Sequence, residues 1–322
     1  MKQHLHRLLL FCLLAVTASA CTQHPYAAAN KSYKRQVKAL AKSLRVTPVT
    51  NPGEDSLKQG DYWVGTTNFN MRKPNYVVIH HTAQDSTAQT LKTFTLPRTQ
   101  VSAHYVIGRD GKVYHMLNDY LRAWHGGSGR WGNNTDINSS SIGIELDNNG
   151  TEPFQEEQIK SLMQVLAILK KTHKIPAENF IGHSDIAPTR KNDPSRIFPW
   201  KRLAEAGYGI WYDEAEVEKL ILQDQLVRDT LAQDSSLAIV LITPQKPDVL
   251  PTTNTTQIDS AYLVPTSFNP RDALKIIGYD TKDLPAAIRA FKLHFIQNDV
   301  SAVLTDRDKK VLYYLYRKYL DL

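Results

Sequence analysis

Hydrophobic residues in the central part of the chain form short runs that predict a β-sheet. Tyr76 to His80 is a largely apolar run of the kind that forms a buried strand. Two more strands are predicted at Ser102 to Gly108 and Lys112 to Leu117, joined through Asp110-Gly111, a dipeptide that favours a hairpin turn. Ser141 to Leu146, with the sequence SIGIEL, is a further predicted strand.

Helical spacing of apolar residues follows these strands. Between Phe154 and His173 apolar residues recur every three or four positions, which predicts an amphipathic helix. A second helical stretch runs from Asp213 to about Gln233. Strands with intervening helices are typical of an α/β domain in which a central mixed sheet is flanked by helices. We expect this domain to span residues 61–212.

The composition changes after the second helix. Residues 244–266 are rich in Pro, Thr and Asn, which is typical of a linker, so residues 213–268 are interpreted as a helix followed by a linker. Three short helices are predicted beyond it, at Arg271 to Ile277, Leu284 to Phe295 and Asp306 to Tyr319. Residues 269–322 are therefore predicted to form a small all-helical domain.

The first twenty residues have the pattern of an export signal. Lys2 and Arg7 precede an apolar stretch, Leu8 to Val16, that is too short to span a bilayer as a helix. Ala18-Ser19-Ala20 then precedes Cys21. We interpret Cys21 as the lipidated first residue of a mature lipoprotein.

The same cleavage region leaves an alternative open. Ala18-Ser19-Ala20 also satisfies the site of ordinary signal peptidase, which would release a soluble periplasmic protein. Because Thr22 rather than Asp follows Cys21, we expect the lipoprotein to reach the outer membrane and to face the periplasm.

Residues 21–60 are predicted to be a tether with a basic helical segment. Its basic residues, with no acidic residue among them, are Lys31, Lys34, Arg35, Lys38, Lys42 and Arg45. Val37, Leu40 and Leu44 give the segment a weak apolar stripe at helical spacing. A solvated spacer and a contact with the membrane surface or the cell wall are both compatible with this pattern.

Charge and cysteine content limit the partners and the ligands. The formal net charge is +7, and a basic exported protein suits an anionic partner such as cell-wall carboxylates or acidic lipid. We find no nucleic-acid-binding motif and expect no nucleic acid partner. The only cysteines are Cys12, within the signal, and Cys21. Any metal would therefore be held by His, Asp or Glu.

Candidate metal ligands occur in two distant segments. The first predicted strand ends in His80 and His81, and alternation along a strand sends these two side chains to opposite faces, so one of them is not expected to be a ligand. The segment IGHSDIAPTRKNDP contains His183 and Asp193 at positions that we expect to be loops. Two imidazoles and a carboxylate can hold zinc with one position left for water, although spacing by itself is weak evidence for such a site.

Five sequence blocks between Asn75 and Trp200 resemble the zinc N-acetylmuramoyl-L-alanine amidases of the type-2 family, the group that includes AmpD and AmiD. The blocks are VVIHHTA (Val77 to Ala83), SAHYVIGRDGKVYHML (Ser102 to Leu117), AWHGG (Ala123 to Gly127), SIGIELDNNG (Ser141 to Gly150) and GHSDIAPTRKNDPS (Gly182 to Ser195). They occur in the family's order and with similar spacing. The export signal and the C-terminal helices make the chain most similar to the outer-membrane lipoprotein branch.

The resemblance implies a zinc site and a catalytic pair. It implies that zinc is held by His80, His183 and Asp193, that Glu145 is catalytic and that Lys191 supports it. Glu145 could take a proton from the attacking water and pass it to the leaving amine. Lys191 could stabilise the oxyanion of the tetrahedral intermediate. Without the resemblance, a strand-end carboxylate and a solvated lysine would describe these two residues equally well.

Two further residues are candidates for substrate binding. Tyr105 matches a tyrosine near the metal in some relatives, and a buried sheet tyrosine is the alternative. His125 follows Trp124 and either lines the substrate groove or packs in the interior.

The implied function is hydrolysis of the amide between N-acetylmuramic acid and L-alanine in peptidoglycan or muropeptides. Residues 269–322 resemble, more loosely, a three-helix peptidoglycan-binding module, with a helical cap that has no ligand as the alternative. Two other functions stay open: a peptidoglycan-recognition protein without turnover, and a zinc peptidase that cuts within the stem peptide. Non-catalytic relatives typically lose a zinc ligand, whereas all three candidates are present here.

Overall fold

The structure, a computed structural model, describes residues 24–45, 66–68, 70–233, 239–242, 256–259 and 263–320. The predicted export signal, Cys21 and much of the predicted tether lie outside these residues. The strands are β1 (Tyr76–His81), β2 (Tyr105–Ile107), β3 (Val113–His115), β4 (Ser141–Leu146), β5 (Phe180–Gly182), β6 (Ile239–Ile242) and β7 (Thr256–Asp259). The helices are α1 (Ala27–Ser43), α2 (Thr87–Thr95), α3 (Ile137–Ser140), α4 (Glu156–His173), α5 (His183–Ile186), α6 (Trp200–Glu205), α7 (Glu214–Gln233), α8 (Pro270–Ile277), α9 (Leu284–Phe295) and α10 (Asp306–Tyr319). Two short 3-10 helices lie at Pro97–Thr99 and Ala177–Asn179.

Five strands form one mixed sheet in the order β3-β2-β4-β1-β5. Strand β1 runs parallel to both β4 and β5, β2 runs parallel to β4, and only the β2–β3 hairpin is antiparallel. This confirms the predicted central mixed sheet. Its parallel core requires cover on both faces, because crossover connections place other elements over each side.

One face of the sheet is covered by α4. Val77, Ile79 and Ile144 point to this face and are fully buried together with Leu162 and Leu166 of the helix. The apolar spacing that predicts α4 is thus the stripe that contacts the sheet.

The C-terminal helices α8, α9 and α10 complete the core on the other face. Val78 of β1 and Ile181 of β5 share a buried cluster with Leu274, Phe291 and Leu312 of these helices. All of them belong to one compact unit formed by Asn70–Phe94 and Thr99–Leu322. The helices lie at the predicted positions, but they share a hydrophobic core with the sheet.

The contact between Trp131 and Gly278 shows how closely these parts pack. Gly278 follows α8 with a φ of +135°, and a Cβ atom built there would lie 2.4 Å from the Trp131 ring. The amide of Gly132 donates to the carbonyl of Gly278 at 2.7 Å. Glycine is needed here both for its backbone conformation and for the space it leaves.

The predicted linker contains a strand that the composition did not reveal. Strand β7 lies within residues 244–266 and pairs in parallel with β6. A four-residue strand between prolines and threonines has too few apolar positions to produce a recognisable run.

A first compact unit, Met1–Phe69 with Thr95–Arg98, contains α1. None of the residues of α1 is buried. Among the residues that the structure describes, no helix is long and apolar enough to cross a membrane.

Candidate active site

Three predicted ligands meet at the carboxyl ends of two neighbouring parallel strands. His80 lies near the end of β1, and His183 begins α5 directly after β5. Pairing of Ile79 with Gly182 brings these two histidines side by side. Asp193 returns to the same point, and its carbonyl accepts from the amide of Ser184 at 2.8 Å.

The three side chains are buried and almost touch one another. His80 Nδ1 lies 2.9 Å from His183 Nδ1, and each of these nitrogens lies 3.1 Å from Asp193 Oδ2. In the described part of the chain, no other group of His, Cys, Asp and Glu side chains has this convergence. The sequence expectation that His183 lies in a loop is wrong, because His183 is the first residue of a short helix.

A hydrogen-bond chain behind His80 fixes which of its nitrogens carries the proton. The hydroxyl of Ser141 donates to the carbonyl of Ile137 at 2.6 Å, so its oxygen accepts from His125 Nε2 at 3.1 Å. His125 Nδ1 then accepts from His80 Nε2, also at 3.1 Å. With its proton on Nε2, His80 presents the lone pair of Nδ1 to His183 and Asp193.

The donor set fits a metal ion. Two imidazole nitrogens and a carboxylate oxygen converge on one position, and there are too few protons among them to give each lone pair a hydrogen bond. A cation at this position would interact favourably with all three lone pairs. Ligands at 2.0–2.1 Å from a tetrahedral zinc ion stand about 3.3 Å apart, close to the separations observed here. His183 and Asp193 have the protonation states that a metal requires, as their pKa values show.

Burial, together with the neighbouring His80, lowers the pKa of His183 to about 4, so the ring is neutral near pH 7. Burial by itself raises the pKa of Asp193, but the adjacent rings of His183 and His80 outweigh this effect and hold the pKa of Asp193 well below its usual range. The carboxylate is therefore ionised.

Glu145 lies on β4 beside His80. The two residues are register partners on adjacent strands, and Glu145 Oε1 is 4.0 Å from His80 Nδ1. Its Oε2 is buried and has no hydrogen-bond partner in the described part of the chain. Burial raises the pKa of Glu145 to about 7, against the opposing effect of His80. A carboxyl group with this pKa can both accept and donate a proton near neutral pH.

Lys191 lies on the loop that leads to Asp193, and its side chain is exposed. Its positive charge reaches the cluster, where it contributes to lowering the pKa values of Glu145 and His183. The structure thus brings all five residues implied by the sequence resemblance to one place.

His125 does not line a groove. Its ring is 8% exposed and lies behind His80, and its backbone amide donates to Asn138 Oδ1 at 3.1 Å. Gly143 makes room for the ring, since a Cβ atom there would lie 2.4 Å from it. His125 packs in the interior, which was the alternative interpretation of the sequence. There its ring accepts a hydrogen bond from His80 Nε2.

Tyr105 is not part of the cluster. It pairs with Ile144, whereas its neighbour Val106 pairs with Glu145, so Tyr105 points to the opposite face of the sheet. There its hydroxyl donates to Asp119 at 2.9 Å and its ring stacks on His115. The geometry supports the alternative of a buried sheet tyrosine.

His81 also points away from the cluster, as strand alternation predicts. Its Nδ1 accepts from the amide of Ser195 at 3.1 Å. The next histidine along β1 therefore holds the loop that follows Asp193 and leaves His80 as the only β1 residue of the cluster.

One residue beside the cluster was missed from the sequence. Asp185 is fully buried two residues after His183, and its Oδ2 accepts from the amide of Gly182 at 2.7 Å. Tyr279 and His294 of the C-terminal helical region also donate to it. The local sequence gives no signal for this buried role, because its partners Tyr279 and His294 lie 94 and 109 positions away.

The chain has clear relatives of known activity. Residues 70–196 match a family model described as N-acetylmuramoyl-L-alanine amidase. N-acetylmuramoyl-L-alanine amidase AmiD of Escherichia coli is 36% identical over 157 residues, which cover 44% of this chain and 56% of that protein. 1,6-anhydro-N-acetylmuramyl-L-alanine amidase AmpD of Haemophilus influenzae is 38% identical over 104 residues, covering 32% and 56%. The chain thus spans a little over half the length of these relatives.

Two solved structures share the fold over most of the chain. AmpDh3 of Pseudomonas aeruginosa has a TM-score of 0.61 and 26% identity, covering 82% of this chain and 99% of that one. E. coli AmiD, in complex with the substrate anhydro-N-acetylmuramic acid-L-Ala-D-γ-Glu-L-Lys, has a TM-score of 0.57 and 26% identity, covering 81% and 95%.

Proposed function

We propose that this chain, whose residues 70–196 match a family model described as N-acetylmuramoyl-L-alanine amidase, hydrolyses the amide bond between N-acetylmuramic acid and L-alanine. The convergence of His80, His183 and Asp193 beside Glu145 carries the proposal. A recognition protein without turnover would not need a buried, unpaired carboxyl oxygen next to a complete ligand set.

Zinc is the metal that we assign to His80, His183 and Asp193, because two imidazoles and one carboxylate are a ligand set of catalytic zinc sites with an open fourth position. When bound, zinc would polarise the scissile carbonyl and acidify water. His125 keeps the proton of His80 on Nε2, so that Nδ1 is available as a ligand.

Glu145 acts as the proton carrier. Its pKa of about 7 allows it to take a proton from the attacking water and to deliver that proton to the amine of L-alanine as the bond breaks. Lys191, exposed at the edge of the cluster, donates to the oxygen on which negative charge develops.

The substrate that we assign is a muropeptide or intact peptidoglycan. The E. coli relative binds an anhydro-N-acetylmuramic acid peptide, which supports the smaller substrate. The net charge of +7 suits the carboxylates of stem peptides. A murein-binding role for residues 269–322 stays a prediction.

We place the protein in the periplasm. An export signal over residues 1–20 supports this location, and lipidation of Cys21 would attach the mature chain to the outer membrane. A soluble periplasmic form remains the alternative, and mass spectrometry of the mature N-terminus separates the two.

Product analysis tests the proposed activity. Zinc-loaded mature protein is incubated with purified sacculi and, separately, with anhydro-muramyl peptides. We expect peptides with a new free L-alanine amine, loss of activity with a chelator, and recovery when zinc is restored. Asp193→Ala is the matched variant and should lose both zinc and activity.

Two results would overturn the proposal. One is the absence of a new amine from both substrates with folded, zinc-loaded protein. The other is a cut within the stem peptide, which would identify a zinc peptidase instead.

A further inference from the structure

The basic residues of α1 all lie on one side of the helix. With about 100° of rotation per residue, they fall within an arc of about 100°. These residues are Lys31, Lys34, Arg35, Lys38 and Lys42. The sequence from Ala27 to Arg45 contains no Asp or Glu that could pair with them.

A separate apolar stripe follows the same helix. Tyr33, Val37, Leu40 and Leu44 recur at intervals of four, three and four residues, within an arc of about 60°. Leu44 caps the helix in a helical conformation, so it continues the stripe. Tyr33 is 37% exposed, Leu40 52% and Leu44 83%. The helix is therefore amphipathic, with both its faces accessible.

We infer that α1 binds the surface of an anionic phospholipid bilayer, lying in the interface with its apolar stripe inserted among the headgroups. A helix with a basic face and an aromatic-aliphatic stripe has the composition of interfacial helices. Anionic headgroups supply the charge that five lysines and arginines require, and the acyl boundary receives the four apolar side chains. Long basic side chains reach back from the boundary to the phosphates.

The chemistry favours lipid over two other occupants. A second copy of α1 would bring like charges together, with no acidic residue on either helix to offset them. Peptidoglycan carboxylates would match the basic face but offer no apolar layer for Leu40 and Leu44. The inference goes beyond the proposed amidase function and needs no acyl chain. If Cys21 is lipidated, the helix adds a second contact with the membrane surface.

The inference is tested by measuring vesicle binding of the full mature chain with the substitution Cys21→Ser, which removes the thiol that would carry an acyl chain. Cosedimentation is measured with vesicles of phosphatidylglycerol and phosphatidylethanolamine, and with phosphatidylcholine vesicles. We expect binding to the anionic vesicles that weakens as salt is raised, and little binding to phosphatidylcholine.

Three variants separate the contributions. Lys34→Gln/Arg35→Gln/Lys38→Gln should reduce partitioning roughly 100-fold, from about fivefold per charge near an anionic surface. Leu40→Asn/Leu44→Asn should reduce it by roughly 10-fold or more through loss of apolar insertion. The matched control, Lys160→Gln/Lys171→Gln/Lys275→Gln, removes three exposed charges outside α1 and should leave binding almost unchanged. Amidase activity on a soluble muropeptide reports that each variant is folded.

Several outcomes would overturn the inference. The first is no binding to anionic vesicles at low salt. The second is an equal loss of vesicle binding in the control variant, which would show that the net charge of the protein, and not the basic face of α1, causes the binding. The third is loss of sacculus binding in the basic-face variant with no effect of the leucine substitutions on vesicles, which would identify peptidoglycan as the partner.

Discussion

His294 of α9 lies with its Nδ1 2.7 Å from Oδ2 of Asp185. A carboxylate oxygen accepts, so the imidazole donates this hydrogen bond. The same oxygen accepts from the amide of Gly182 at 2.7 Å, and Tyr279 donates to Oδ1 at 2.9 Å. One buried carboxyl group therefore connects the C-terminal helices to the residue that precedes the candidate ligand His183.

We expect His294→Phe to destabilise the protein and to weaken metal binding. Phenylalanine keeps a ring to stack on Trp200, where the centroids are 3.9 Å apart, but leaves Asp185 without one donor. The cost should be about 1–3 kcal/mol of unfolding free energy, and zinc affinity should fall roughly tenfold because the segment of His183 is held less firmly.

Urea unfolding and zinc titration measure both effects. Lys201→Ala, which breaks an exposed ion pair with Glu214 on the surface, is the control and should change stability by less than about 1 kcal/mol. An unchanged urea midpoint and zinc affinity for His294→Phe would show that the contact is incidental.

Glu145→Gln should keep zinc and lose amidase activity. The substitution preserves the shape of the side chain but removes its proton transfer, which typically contributes 10²- to 10⁴-fold to the rate. Metal analysis and kcat on a soluble muropeptide measure the two effects. Loss of zinc from this variant would mean that Glu145 holds the metal.

The same variant has an expected effect on the stability of the metal-free protein. Since the folded-state pKa of Glu145 is raised to about 7, the native state binds its proton more tightly than the unfolded state does. The stability contributed by this group is present below pH 4.5 and is lost as pH rises through 7. Glu145→Gln should therefore stabilise the apoprotein at pH 8 by up to about 3 kcal/mol.

The sequence predicted the local elements well because their signals are local. The apolar run SIGIEL matches β4 at both ends, and the helices over Leu284–Phe295 and Asp306–Tyr319 coincide with the structure. Strand β5 and helix α5 were missed, since three and four residues are too few to show a period. The ligand set came from resemblance to a family, and spacing alone would have left it uncertain.

The directions of side chains were harder to predict from the sequence than the positions of strands and helices. Tyr105 faces away from the cluster because strand register decides which face a residue occupies, and a single sequence does not give the register. Asp185 and His294 are 109 positions apart, so no local pattern connects them. The structure adds these long-range contacts to the residues that the sequence named.

Acid should destabilise the protein partly through His104, which is fully buried. Its Nδ1 accepts from the amide of Gly143 at 3.0 Å, and its Nε2 donates to the carbonyl of Leu121 at 3.0 Å. Burial lowers the pKa of His104 to about 4, with the charge of Arg72 acting in the same direction. The unfolded chain binds this proton from about pH 6.5 downwards, and the native state resists it.

The stability contributed by His104 is therefore present above pH 6.5 and is lost as pH falls through 4. Between pH 7 and pH 5 the loss from this residue should be about 2 kcal/mol. Urea unfolding of the metal-free protein measures its stability at pH 7 and at pH 5. Because glutamine does not titrate, the stability lost between these two pH values should be smaller in His104→Gln than in the unsubstituted protein. An equal difference in the two proteins would contradict it.

His125 should act on metal affinity and not on the chemical step. His125→Phe removes the acceptor of the His80 Nε2 proton, so the tautomer of His80 is no longer fixed, and zinc affinity should fall about 10- to 100-fold. Gly143→Ala should act in the same way, because its Cβ would displace the His125 ring. His125→Asn can return an acceptor oxygen near the position of Nδ1 and should recover part of the affinity.

Competition with a chelator measures the zinc dissociation constant, and kcat at saturating zinc should change little. A large fall in kcat with unchanged zinc affinity would instead assign His125 to the reaction itself.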